Sequence, residues 1–458
     1  MPAISESESD TNLSARRTSW QARALGAGTR ALLARDARAF LHQSVSTPCL
    51  NQIVRAEGIW IEDASGHRAM DFHGNNVHHI GYGHPRLKQA IAAQMNRLPF
   101  APRRYTCEAA VRLAEKLAAI SPGDLSKVLF TTGGSDAVEV AVKVARAATG
   151  RFKTLSFWDA FHGAGVGASA LSGEALFRSG PAAPLVAGAD HVAPFACYRC
   201  PYGHPVDEDG RPFLERCRLA CAGMVEYVLA HETDVAAVIA EPVRAVPYLP
   251  PPGYWQAVRA ACDRHGALLI FDEIPSGLGK TGRMFASEHE GVVPDIQVLG
   301  KALGGGILPI AAVVARPGLD LGGAFAFGHY THEKNPVTAI AALTTIEIIE
   351  DENLVANAAR VGAVALARME DMKHRLPAIG DVRGRGLVLG IELVKSRADK
   401  RPDHELAEAV LYRALDSGLS FKTTMGNVLT LTPPLTVTEA EMLTALGILE
   451  QAIGANGS

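Results

Sequence analysis

The stretch ALLIFDEIPSGLGKTGRMFASEHEGVVPDIQVLGK, Ala267 to Lys301, decides the fold. Its apolar run ALLIF predicts a buried strand ending at Asp272, and IQVL predicts a second that ends just before Lys301 and the glycines Gly304, Gly305 and Gly306. If the two strands are parallel neighbours, the carboxylate and the lysine both stand at carboxyl ends, where ligands of open α/β sheets collect.

LLIFDE also looks like the strand that ends in the magnesium-holding carboxylate of nucleotide hydrolases, and GLGKTG, Gly277 to Gly282, looks like part of a phosphate loop. That loop requires a glycine five positions before the one preceding its lysine, a place held here by Ile274. Asp272 also comes before the loop instead of after it, so the nucleotide-hydrolase reading is set aside.

Working outward, KVLF (Lys127 to Phe130), TLSF (Thr154 to Phe157) and AAVIA (Ala236 to Ala240) are further short apolar runs, each followed by polar or glycine residues. Between them lie helical patterns, the signature of parallel strands joined by helices. One helix is predicted from about Ser135 to Ala148, with Ala137, Val138, Ala141, Val142, Ala145 and Ala148 on its buried face. It follows TTGGSDAVE, where Gly133, Gly134 and Ser135 offer free backbone amides and the positive end of a helix dipole, a ready cradle for phosphate. Phe161-His162-Gly163 follows the next strand and could lay a ring on a flat ligand; a packed aromatic is the plainer reading. A lysine, a carboxylate and a phosphate cradle together are what pyridoxal phosphate chemistry needs. The lysine condenses with the aldehyde, and the carboxylate keeps the pyridine nitrogen protonated.

The 458 residues suffice for a large domain and a smaller one. A net charge of −3 offers no basic footprint for nucleic acid or an anionic membrane. The longest apolar stretch, Gly304 to Ala315, is shorter than the ~20 residues of a membrane span. The beginning of the chain carries the acidic cluster SESESD, Ser5 to Asp10, which a transit peptide would avoid, and a flexible tail over 1–35 followed by a helix is expected. Seven cysteines without a secretory signal predict reduced thiols and a cytoplasmic location. Cys197, Cys200, Cys217 and Cys221 form CxxC followed by CxxxC, a spacing that could hold structural zinc; because the second pair departs from zinc ribbons, a loop with ordinary cysteines and no metal is the preferred reading. Leu171 to Gly210, rich in Gly, Pro and Ala, predicts a long excursion. The expected layout is a segment over 36–90 joining a small domain, a large α/β domain over 91–345, and a smaller α+β domain over 346–458.

From about Ala56 to Thr438 the chain resembles the class III aminotransferases, pyridoxal-phosphate enzymes of fold type I. The resemblance rests on EGIWIEDASGHRAMDF, GYGHP, TTGGSDAVEVAVKVARAATGR and FHG, then AEPV, PPGYW, LLIFDEIPSGLGKTG, LGKALGGGILPIAAVVAR, KNPVTAIAAL and DVRGRGLVLGIEL. It implies a mostly parallel, seven-stranded type of sheet in the large domain. It implies Lys301 as the Schiff-base lysine and Asp272 as the pyridine-nitrogen partner. Gly134 and Ser135 would hold the phosphate, Phe161 would stack on the ring with His162 beside it, and Glu241 would lie near the cofactor. Thr331, four residues before the Asn335-Pro336 dipeptide, would complete the phosphate site of the neighbouring subunit, so a homodimer is implied.

The departures bear on substrate. Family members that use keto acids carry an arginine in the strand before the PPL turn, where its fork grips a carboxylate, and Thr430 occupies that place. They also carry a masking glutamate five residues after the first glutamate of the AEPV segment, here Val246, and Pro275 is unusual after DEI. Loss of clamp and mask together points away from transamination and toward a lyase on the same scaffold. MDFHGNNVHHIGYGHP places Asn75, Asn76, His78 and His79 where the family's substrate pocket begins, and LPFAPRRYT adds Arg103 and Arg104. Asparagine pairs also serve turns and arginines are often solvated. A polar, cationic pocket suits an aminophosphonate. The HGNNVH pattern most resembles the lyases of this family that act on 1-hydroxy-2-aminoethylphosphonate. The rivals are an ω-aminotransferase and a lyase releasing phosphate from an aminoalkyl phosphate.

Overall fold

A computed structural model describes residues 14–43, 47–178, 186–207 and 210–455. The acidic cluster Ser5 to Asp10 lies outside them. The chain divides into two compact units, one made of 85–356 and one made of 1–84 with 357–458.

The 85–356 unit is built on one seven-stranded sheet. In chain order its strands are β1 (Lys127–Thr131), β2 (Lys153–Phe157), β3 (Ala189–Val192), β4 (Val235–Ala240), β5 (Leu268–Asp272), β6 (Ile296–Leu299) and β7 (Ala311–Ala315). In space they run β1-β7-β6-β5-β4-β2-β3. All are parallel except β7, which pairs antiparallel with both β1 and β6. The strands β4, β6 and β7 are buried throughout, which is why they read as unbroken apolar runs and not as alternating ones.

The helix Gly134–Thr149 packs on this sheet through Ala137, Val138, Val140, Ala141, Val142, Val144 and Ala145, and it ends at Gly150 in the left-handed region. The stripe is wider than the sequence spacing predicts, because Val140 and Val144 are enclosed as well, and Ala148 is exposed. Two strands had no prediction of their own. β3 sits inside the expected excursion 171–210, and β7 hides in the long apolar run after the three glycines.

In the other unit, the strands Ile53–Glu57, Trp60–Asp63 and Arg68–Asp71 form an antiparallel meander. Leu419–Ser420 adds to it in parallel, with Leu419 opposite Met70. A second, antiparallel sheet joins Ile379–Arg385, Val388–Leu393, Val428–Leu431 and Lys422–Thr424 in that order. The expected flexible tail over 1–35 needs correction. Ala15–Ala24 and Ala27–Ala39 are helices, the first capped by the Ser14 hydroxyl, which accepts from Arg17 N at 3.0 Å. Residues 14–39 are held because Trp20 is buried, lies with its ring 5.8 Å from that of Tyr412 at a tilt of 33°, and donates its indole N–H to Asp416 at 2.8 Å. No helix among the described residues is long and apolar enough to cross a membrane.

Candidate active site

Five sheet strands of the 85–356 unit deliver their loops to one edge, and the chemistry collects there. Asp272 closes β5 and is 1% exposed. Its Oδ2 lies 2.8 Å from His162 Nδ1, and its Oδ1 accepts from the Ile274 amide at 3.0 Å. A carboxylate can only accept, so Nδ1 is the donor side of this contact. His162 is fixed in turn by its own amide, which donates to Ser172 Oγ at 2.9 Å, while Nε2 has no hydrogen-bond partner among the described residues. Each carboxylate oxygen keeps an unused lone pair, so Asp272 retains capacity for a protonated ring nitrogen.

The phosphate cradle is shaped by close packing around Ser135. Ser135 Oγ accepts from Ala164 N at 3.0 Å, which leaves its hydroxyl hydrogen for an anion. Gly163 has a φ of +130°, and a Cβ there would lie 2.4 Å from Ser135 Oγ, so only glycine lets the loop pass this close. The same helix extends Glu139, whose Oε1 accepts from Gly167 N at 3.1 Å and Ala168 N at 3.2 Å, binding the start of Val166–Leu171 to the cradle. Phe161 stands partly exposed, its ring 4.8 Å from that of Phe177.

Glu241 follows β4 and is 4% exposed. Its Oε1 accepts from Arg244 Nη1 at 3.1 Å and from Phe161 N at 3.4 Å, and Oε2 accepts from Ala245 N at 3.0 Å. Burial pushes its pKa up, but the Arg244 guanidinium, His162, the Ala245 amide and Lys301 together hold it below the ordinary value. Lys301 follows β6 and opens a short 3-10 turn, with a φ of +46°. A left-handed lysine costs ~1–3 kcal/mol and persists where the surroundings dictate it, as functional sites do. Arg244 and Glu139 had no place in the sequence reading; the clue to the first is a cation in the mostly apolar PVRAVPYLPPP that follows Glu241.

Chain similarity agrees with this geometry. The model of the aminotransferase class-III family matches residues 42–453. The chain belongs to the class III aminotransferases. The (R)-1-hydroxy-2-aminoethylphosphonate ammonia-lyase of Vibrio splendidus is 43% identical over 98% of this chain and 95% of its own length. The leucine/methionine racemase of Thermococcus litoralis is 38% identical over 87% of this chain and 90% of its own. Among solved structures, a PLP-bound amine transaminase from an uncultivated Pseudomonas species superposes with a TM-score of 0.84 at 31% identity, over 91% of this chain and 98% of that one. The class III family and its PLP-bound neighbours indicate pyridoxal phosphate as the cofactor, and the fold is type I. The residues fit it: a buried carboxylate with its histidine, an amide-rich helix start, an aromatic ring and a lysine share one sheet edge.

The other predicted residues are placed as follows. Thr331 is exposed on the loop before the helix Pro336–Asp351. Arg103 is half-buried with Nη2 2.5 Å from His329 Nε2, and Arg104 is exposed. Asn75, Asn76, His78, His79 and Thr430 belong to the other unit. Asn75 and Asn76 take left-handed φ of +47° and +60°, forming a tight turn. The His78 ring lies beneath it, its Nε2 3.0 Å from Asp71 O and so close to Gly74 that a Cβ there would meet it at 2.3 Å. Thr430 is buried on its strand with its hydroxyl 2.7 Å from that of Thr424. Cys197, Cys200, Cys217 and Cys221 line one small pocket beside Tyr202 and His204, and burial pushes the Cys221 thiol up to about 11.

Proposed function

We propose that this protein is a pyridoxal-phosphate-dependent ammonia-lyase that converts 1-hydroxy-2-aminoethylphosphonate to phosphonoacetaldehyde and ammonia in phosphonate breakdown. The observation that carries the reading is Thr430, whose hydroxyl is taken by Thr424 in the strand where keto-acid-using relatives place an arginine. Buried Val246 stands where they place its masking glutamate, so both partners of that switch are apolar or neutral. Full-length similarity to the Vibrio splendidus ammonia-lyase points the same way.

When bound, the cofactor supplies an electron sink for the carbon that bears the amine. Asp272, oriented by His162, would keep the proton on the ring nitrogen. Gly134, Ser135 and the amides of the following helix would hold the cofactor's phosphate, with Phe161 beside the ring. Lys301 Nζ would take the proton from the carbon next to nitrogen. The bond from the neighbouring carbon to its hydroxyl oxygen then breaks, and a protonated pocket group, Lys301 itself among the candidates, turns that oxygen into water. The released enamine takes up water and yields the aldehyde and ammonia, so atoms balance with no oxidant. His78, Asn75, Asn76, Arg103, Arg104 and Thr430 are assigned to the substrate side, and Thr331 to the phosphate site of a partner in a cytoplasmic homodimer.

The resemblance to solved amine transaminases favours a second reading, transfer of the amine to a keto acid. Incubating the holoenzyme with 1-hydroxy-2-aminoethylphosphonate and no keto acid separates them. Many turnovers of ammonia and aldehyde are expected. One equivalent per site, with the cofactor left aminated, would sink the lyase.

A further inference from the structure

Arg244 sits three residues after Glu241, on a turn closed by its amide bonding to Tyr248 O at 3.1 Å. Its side chain is 5% exposed, yet among the described residues only Nη1 has a hydrogen-bond acceptor, Glu241 Oε1 at 3.1 Å. Nε and Nη2 share the opposite edge of the planar fork, and neither has a hydrogen-bond acceptor among the described residues. Glu174 Oε1 comes within 3.7 Å of Nη2, too far for a hydrogen bond, on a side chain that is 31% exposed. A buried charged donor left unbonded is costly, so a fork edge kept in this state is suited to an acceptor that arrives from outside. Two parallel N–H groups match two oxygens of a phosphonate or carboxylate. The location fits as well, because the Glu241 that anchors Arg244 also accepts from Phe161 N and feels the charges of His162 and Lys301.

We propose that Arg244 binds the anionic group of the substrate, a phosphonate on the function argued above, and so replaces the clamp that the Thr430 strand lacks. Glu241 fixes the guanidinium from behind through Nη1 and lowers its net charge. Glu174 shields the front edge until the anion displaces it toward solvent.

The test is equilibrium binding of three amines to the holoenzyme, followed through the visible absorbance of the cofactor: 2-aminoethylphosphonate, β-alanine and propylamine. Wild type should bind at least one of the two anionic amines at least a hundredfold more tightly than propylamine. Arg244→Gln should cut that preference to below tenfold with propylamine affinity unchanged, Arg244→Lys should fall between, and in turnover the loss should appear in KM more than in kcat. Glu174→Gln, which leaves Arg244 in place, should tighten the anionic amines severalfold and leave propylamine alone; it also serves if Arg244→Gln does not fold. The proposal is overturned if wild type shows no anion preference, if the preference survives Arg244→Gln, or if either variant shifts all three amines equally, the mark of a residue that merely holds Glu241. A preference for β-alanine that Arg244→Gln abolishes would support Arg244 while refuting the phosphonate reading, and ammonia release is scored separately.

Discussion

Asp272 and Glu273 are adjacent carboxylates enclosed to the same degree, and their neighbours give them opposite work. Asp272 faces His162 and keeps a lone pair for the cofactor, so Asp272→Asn should retain the fold but lower kcat/KM by about 10²–10⁴-fold, the scale of lost proton control. Steady-state kinetics on cofactor-saturated variant checks this; near wild-type turnover would remove Asp272 from the reaction. Glu273 turns away and accepts from Ala286 N and Ser287 N, each at 2.8 Å, pinning the 3-10 turn that follows the loop. Burial pushes its pKa up to about 7 from an ordinary 4.5, against the pull of those amides. An acid raised in the folded state stabilises fully below its unfolded pKa and loses that contribution as pH climbs to the folded one. Wild type should therefore lose on the order of 3 kcal/mol relative to Glu273→Gln between pH 4.5 and 7, read as melting temperatures of both proteins across that window. A difference that stays constant with pH would refute the assignment. The lysine and carboxylate were legible in sequence because each ends an apolar run. Arg244 was not, because a lone cation in an apolar stretch marks an unusual place without saying which acceptor its guanidinium finds.

At the scale of elements, the loops from β1 and β2 interlock through their glycines. Gly163→Ala would force a Cβ against Ser135 Oγ at 2.4 Å from a φ that alanine disfavours, and should cost about 1–3 kcal/mol and weaken cofactor retention. Gly134→Ala meets only the flexible end of Ile274, at 2.8 Å, and should cost the cofactor-free protein clearly less. Thermal melts of both apoproteins, with cofactor titrations beside them, give the comparison; equal costs would mean that the cradle does not depend on this approach. Five strands were readable from uniform apolar runs, but periodicity could not single out β3 and β7. The first, ADHV, is a partly exposed edge strand, and the second is joined to a glycine-rich turn without a polar break. The helix expected after the tail begins earlier than predicted for another reason: the Ser- and Arg-rich sequence of Ala15–Ala24 and Ala27–Ala39 is held by tertiary contacts such as that of Trp20 with Asp416, far along the chain.

For the whole molecule, the assembly itself can be tested. If Thr331 serves the phosphate site of a partner, Lys301→Ala and Thr331→Ala protomers should complement each other. The mixed dimer would hold one site with both defects and one with neither, so mixing should restore activity above that of either parent. No gain on mixing, with exchange of subunits verified, would place Thr331 in its own subunit's site or outside any. The sequence fixes neither subunit exchange nor the join of the chain's beginning to its end, because both depend on contacts far apart along the chain. The pairing of Leu419 with Met70 is one of these.

The lone antiparallel strand carries one more consequence. β1, the first strand of the large sheet to leave the ribosome, pairs among the described strands only with β7, the last, with Thr131 opposite Ala311. The phosphate-binding turn thus remains tethered to an unpaired edge through most of synthesis, while β2 to β6 can already zip together. Only when Ala311–Ala315 emerges does the sheet close around it, so a nascent chain cannot hold its cofactor before the lysine and its flanking strand have been made.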